Sequence, residues 1–270
     1  RQLRVALILG LTGIVLVAGL PSIATAQSRA DEHNVALAYE GFTTNDDGTR
    51  DLWFGYYNRN WDREFDIPIG PDNNIEPGGP DVGQPTHFFP RRNQFVFGVR
   101  VPPEFGEDDE VVWTLTSNGV TERAYGTLRH LYAVDEVVMA ANFGAGGVTG
   151  FNPALEGNEA PVVHIEGKTH LSTKVGQDVE LSAIATDDDK PGRRGMSNLI
   201  VGQSHFVPNS ATGLRMSWYH YRGPGKVTFE SPQTKVWEDR RDGGNSPWSA
   251  GWQTPPVPTD NRWITRATFD

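Results

Sequence analysis

The chain has 270 residues, 34 of them acidic and 24 basic, for a formal net charge of −10, and it has no cysteine. Disulfides, thiol chemistry and cysteine-ligated metals are excluded, so hydrophobic cores alone must hold the fold. The acidic balance and the lack of a basic stripe argue against nucleic acid as a partner, because phosphate contacts need a basic face.

Arg1 and Arg4 precede an apolar run at residues 5–20, which Pro21 ends before the small residues Ala24-Thr25-Ala26. That order is the basic, apolar and cleavage region of an export signal, so residues 1–26 are expected to be a signal peptide cut after Ala26. A membrane anchor is the alternative, but the run is shorter than the roughly 20 residues that span a bilayer. No stable membrane insertion is expected after cleavage, and the missing cysteine excludes a lipid-anchored form. Removing residues 1–26 leaves 22 basic and 34 acidic residues, a net charge of −12. The expected location is the periplasm, the cell surface or the medium. Residues 27–34 are polar and read as a flexible leader.

Thirty glycines, 19 prolines and 10% aromatic residues, with few segments of helical period, favour an all-β fold of two antiparallel β-sandwich modules. The first is expected over residues 35–152. Leu52, Phe54 and Tyr56 alternate with Trp53, Gly55 and Tyr57, which predicts a strand with one buried face. The same period places Phe95, Phe97, Val99 and Val101 on one face, and Val111, Trp113 and Leu115 on another. The Asp-Asp-Gly at 46–48 and the Asn118-Gly119 pair mark turns, the latter a strong hairpin signal. Residues 153–160, rich in Pro, Gly, Asn and Glu, read as a linker. The second module, residues 161–270, is expected to have strands at 162–165, 170–175, 179–186, 214–222, 226–229 and 263–269, with Trp218 pinning its core.

Residues 175–183 (VGQDVELSA) with Thr186-Asp187-Asp188, then 214–218 (LRMSW), 223–229 (GPGKVTF) and 267–269 (ATF), resemble the PKD-like, Ig-fold domains of bacterial surface and secreted proteins. The resemblance covers residues 161–270, with insertions at 187–213 and 231–261. In that family further strands follow the Ala-Thr-Phe strand, so the resemblance implies a module truncated at Asp270. The whole chain is also similar to a group of exported bacterial proteins.

Three stretches could carry chemistry. The loop at 70–92 crowds Asp72, Asn73, Asn74, Glu76 and Asp81 among glycines and prolines. Calcium wants several oxygen ligands on a tightly turning backbone, although turns use these residue types in any case. Asp187, Asp188 and Asp189 repel one another unless screened, which makes them a second calcium candidate beside the reading as a solvated loop. Calcium is therefore the one cofactor to consider. Trp237, Trp248 and Trp252 in the second insertion could form a flat platform for sugar rings, or could pack that long loop onto the module. The seven histidines are scattered, and His164, Glu166 and His170 lack the helical spacing of a zinc protease. No nucleophile elbow, phosphate loop or dinucleotide fingerprint is present. The expectation is a noncatalytic exported module that spaces, adheres or binds, its partner a glycan or another surface protein. Two alternatives stand beside it: a carbohydrate-binding protein using the three tryptophans, and accessory domains of a larger secreted enzyme.

Overall fold

A computed structural model describes residues 33–142, 153–195, 211–230 and 233–270. The expected signal peptide at 1–26 lies outside the described residues, as do positions 27–32 of the leader, 143–152 and 196–210. The fold is all-β, with several antiparallel sheets and little helix. The strands are β1 (Val35–Thr44), β2 (Arg50–Asn58), β3 (Phe65–Asp66), β4 (Asn73–Glu76), β5 (His87–Phe88), β6 (Arg91–Val101), β7 (Val111–Ser117), β8 (Val120–Gly126), β9 (Val162–Ile165), β10 (Val179–Thr186), β11 (Val227–Phe229) and β12 (Arg262–Phe269). One short helix, α1 (Glu136–Asn142), follows β8. No helix among the described residues is long and apolar enough to cross a membrane.

In the first module the sheets β1-β2-β6 and β4-β7-β8 press their apolar faces together. Leu52, Phe54 and Tyr56 point inward from β2, and Val111, Trp113 and Leu115 from β7, as the alternation predicts. The Phe54 and Phe97 rings meet Trp113 edge-on at 6.1 and 4.9 Å. Each such side chain taken fully out of water contributes about 1.5–3 kcal/mol. Trp113 donates its indole N–H to Asn73 Oδ1 at 3.1 Å, and Asn73 Nδ2 donates to the carbonyls of Ile67 and Pro85. Asn73 thus joins the core to the chain leading into the β3-β5 ribbon, leaving no polar atom of its amide unpaired. The Asn118-Gly119 pair forms the two-residue turn between β7 and β8, both residues having positive φ. The end of the leader is not free: His33 N–H donates to Asn60 and Asn34 Nδ2 to Glu122.

One expected core position differs. Phe54 pairs with Phe97 and Tyr56 with Asn93, so Gly55 faces three residues of β6, Gln94, Phe95 and Val96. The extra residues bulge out, Phe95 adopts φ 48°, and its ring leaves the core face. On the other side β1 has a bulge at Glu40, whose carboxylate lies over Gly55 and takes both hydrogen bonds from Arg92 Nη2 at 2.6 and 2.7 Å.

The C-terminal region builds a four-stranded antiparallel sheet in the order β11-β12-β10-β9. Ala183, Ala185, Thr265 and Ala267 are buried on one face, while Ile264 on the other is 58% exposed. Among the described residues no second sheet covers the buried face. Gln233 instead bridges from it, donating to Thr265 Oγ1 and accepting from the Trp218 N–H. Two expected strands are absent. Residues 170–175 pair with no neighbour, and Leu171 and Val175 there are exposed. Residues 214–222 form no ladder; their polar groups bond to residues 81–87 of the first module and to 233–234. Trp218 is consequently half-buried at the edge of a cleft and is no core pin.

Candidate ligand-binding cleft

The cleft has three walls. In the β3-β5 ribbon Asp66 pairs with His87 across the two strands. The segment 214–222 docks against that ribbon: the N–H groups of Thr86 and His87 donate to Tyr221 O, Tyr221 OH donates to Gly83 O at 2.6 Å, and Arg222 reaches Gln84 O and the Asp81 carboxylate. Arg215, Ser217, Tyr219, His220 and Tyr221 line one cavity together with Tyr56 and the β6 bulge, where Phe95 and its neighbours complete the wall. The third wall is the insertion from Thr234 to Trp248, held by Ser217 Oγ donating to Thr234 O at 2.7 Å. Two adjoining cavities result, of about 270 and 450 Å³, sharing His87, Phe89, Tyr219, His220, Thr234, Lys235 and Val236.

Their electrostatics differ. The second cavity includes the carboxylates of Glu64 and Asp66. His87, 8% exposed, places Nδ1 at 2.8 Å from Asp66 and Nε2 at 3.3 Å from Glu64. Burial presses its pKa down, but the two carboxylates together outweigh this and raise it, favouring the imidazolium. The first cavity has no acidic residue in its lining, yet includes Arg215, Lys235 and both histidines. Lys235 is neutralised by Asp239 at 2.5 Å. Arg215 has no ion pair or hydrogen bond among the described residues; its guanidinium lies 5.7 Å from the Trp252 ring, and burial lowers its pKa. Trp218, lining the second cavity, has an indole N–H shielded from solvent with no acceptor. An uncompensated buried donor of this kind costs about 1–3 kcal/mol.

Asp66, His87 and His220 are the one set of three possible metal-ligating side chains among the described residues whose donor atoms fall within 4.8 Å of one another. Their geometry fits a metal poorly. The two imidazoles stack at 4.5 Å with 28° between planes, so their lone pairs lie in nearly parallel planes and do not converge on one point. Nδ1 of His87 is already bonded to Asp66, and Nε2 of His220 is paired with Arg222 O.

The residues singled out from sequence fall as follows. Trp237 and Trp252 are 7% and 8% exposed, so they form no open platform. Lys235 and Arg241 lie over the Trp237 ring at 4.7 and 6.0 Å, and Trp252 Nε1 donates to Asn245. They pack the insertion, Trp237 also bordering the second cavity, while Trp248 is half-buried in the wall of the first. The first calcium candidate is spread along a strand and a loop. Asp72 and Glu76 are exposed, Asn74 bonds Gly70 O and Pro71 O, and Asp81 is held by Arg222, which lowers its pKa. Asp187, Asp188 and Asp189 also fail to gather three carboxylates around one point. Asp188 binds Lys190 and the Glu159 N–H, and burial with the neighbouring acids raises the pKa of Asp187.

Sequence reasoning missed His87, Arg215, Tyr219 and His220. The Trp-Tyr-His-Tyr run at 218–221 was a signal, since polar aromatics side by side suit a half-buried wall. Its meeting with His87, more than a hundred residues away, had no local signature.

Comparison with protein-family models, with characterised proteins and with solved structures finds no match. The cleft is therefore read from its own chemistry.

Proposed function

We propose that the protein is an exported, noncatalytic binding module whose ligand, a carbohydrate, occupies the cleft between the first sandwich and residues 214–222. The observation that supports this most is the lining: Phe89, Tyr219 and Trp248 offer aromatic faces beside Ser217 and Gln94. A sugar ring has apolar C–H faces and a hydroxyl edge, and a concave wall of this composition suits both. Export is supported by the order of residues in 1–26. The PKD-like reading of 161–270 is supported by its motifs falling on β10, β11 and β12. Residues 214–218 of the same resemblance lie in the cleft wall, so we place recognition there and not on the buried Trp237 and Trp252. Glycan-array binding by the processed protein should be lost in Tyr219→Ala and Trp248→Ala and kept in a control such as Ile264→Thr. Turnover of a polysaccharide, peptide or ester by the purified protein would replace this reading with an enzymatic one.

A further inference from the structure

We infer that the smaller cavity recognises an acidic sugar, a hexuronic acid unit whose carboxylate pairs with Arg215. This inference rests on the carbohydrate-binding reading and narrows its ligand class. Acidic residues outnumber basic ones across the chain, yet the lining of this cavity includes none, while Arg215, Lys235, His87 and His220 all border it. Local composition thus runs against the composition of the whole.

The cations are not equivalent. Asp239 answers Lys235, and Glu64 and Asp66 answer His87. His220 Nε2 is paired with Arg222 O, and Arg215 alone of the four has no carboxylate, carbonyl or hydroxyl partner among the described residues. Arg215 is half-buried, so its guanidinium keeps access to the cavity, and the Trp252 face at 5.7 Å satisfies its charge only in part. A carboxylate accepts two parallel N–H bonds from a guanidinium, so it is the group that best completes Arg215. The remaining walls define the body attached to that carboxylate. Phe89, Tyr219 and Trp248 supply aromatic surface, Ser217 and Gln94 supply polar edges, and about 270 Å³ leaves room for one ring-sized unit. A pyranose carrying a carboxylate in place of its primary alcohol meets each of these demands.

The test compares matched sugars. Glucuronic acid and glucose differ at one carbon, as do galacturonic acid and galactose, and uronate-containing oligosaccharides separate a polymer source from the free acid. Calorimetric titration of the processed protein should favour the acid over its neutral partner by about tenfold or more. The preference should weaken as salt rises. Arg215→Gln should abolish the preference, and Arg215→Lys should retain part of it. Oligosaccharides binding more tightly than the single acid would identify a polymer as the source, and equal binding the free acid, each with the Arg215 dependence intact. Equal affinity for acid and neutral sugar in the unaltered protein overturns the inference without needing a variant, and leaves the carbohydrate-binding reading standing. Failure of every glycan to bind removes both.

Discussion

Asp239 is fully buried, and Lys235 and Arg241 both reach its carboxylate, at 2.5 and 2.8 Å. Burial by itself would raise its pKa; the hydrogen bonds from Arg241 and Lys235 overcome that and hold it at about 2, below the ordinary 3.8. A carboxyl whose folded pKa is depressed favours folding above its unfolded pKa, and that contribution fades as pH falls through the folded value. The shift corresponds to about 2 kcal/mol, lost between roughly pH 4 and pH 2. Acid titration of thermal stability should therefore show wild type losing about 2 kcal/mol more than Asp239→Asn across that window. Equal losses in the two proteins would show that the carboxylate is not held ionised by its neighbours. The same residue arranges the insertion, because Ser249 Oγ donates to Asp239 O and Asp239 N–H meets Ser246 Oγ. Asp239 thereby steadies the chain that brings Lys235 and Trp248 to the cleft.

The paired bulges in β1 and β6 depend on Gly55. A Cβ placed there would run into the Glu40 carboxylate and come within 2.5 Å of the Asn93 carbonyl oxygen. Glu40 could swing away, but Asn93 O belongs to the β6 backbone at the start of the bulge. Gly55→Ala should destabilise by about 1–3 kcal/mol, as overpacking does, and should disturb the Glu40–Arg92 pair. Denaturant unfolding measures the first effect. The second should appear as weaker ligand binding at the cleft, since Phe95 and its neighbours are displaced with the bulge. An alanine variant as stable as wild type would show that the bulge yields without cost. At this scale much of the fold was legible. The Asn118-Gly119 turn and the alternation in β2 and β7 both come from local residue types. Phe95 did not follow its own alternation, because the bulge opposite Gly55 depends on how β2 and β6 pair and not on β6 alone.

Across the whole molecule, the segment 214–222 and the second insertion return to the first module, with Arg222–Asp81 and Arg241–Asp62 contacts of 2.6 Å. These surface ion pairs contribute little individually; the backbone bonds from Thr86 and His87 to Tyr221 O set the placement. Arg222→Ala removes the hydrogen bond to Gln84 O as well as the ion pair. Hydrogen exchange at the Thr86 and His87 amides should quicken by about tenfold or more, with core amides of β7 unchanged, because one docking bond is worth about 1.5–3 kcal/mol when charged. Protection unchanged at both amides would show that the segment is held without Arg222.

The sequence by itself determined the all-β class, most strands of the first sandwich and the main core residues, because turn chemistry and period-two burial are local properties. Only the tertiary structure decided the cleft. Arg215, His87 and Tyr219 look ordinary in their own surroundings, and their chemistry arises from which loops fold against them. The tryptophans of the second insertion illustrate the same division: composition marks them as apolar and large, but whether such a ring faces solvent or covers a loop depends on what the rest of the chain places on top of it.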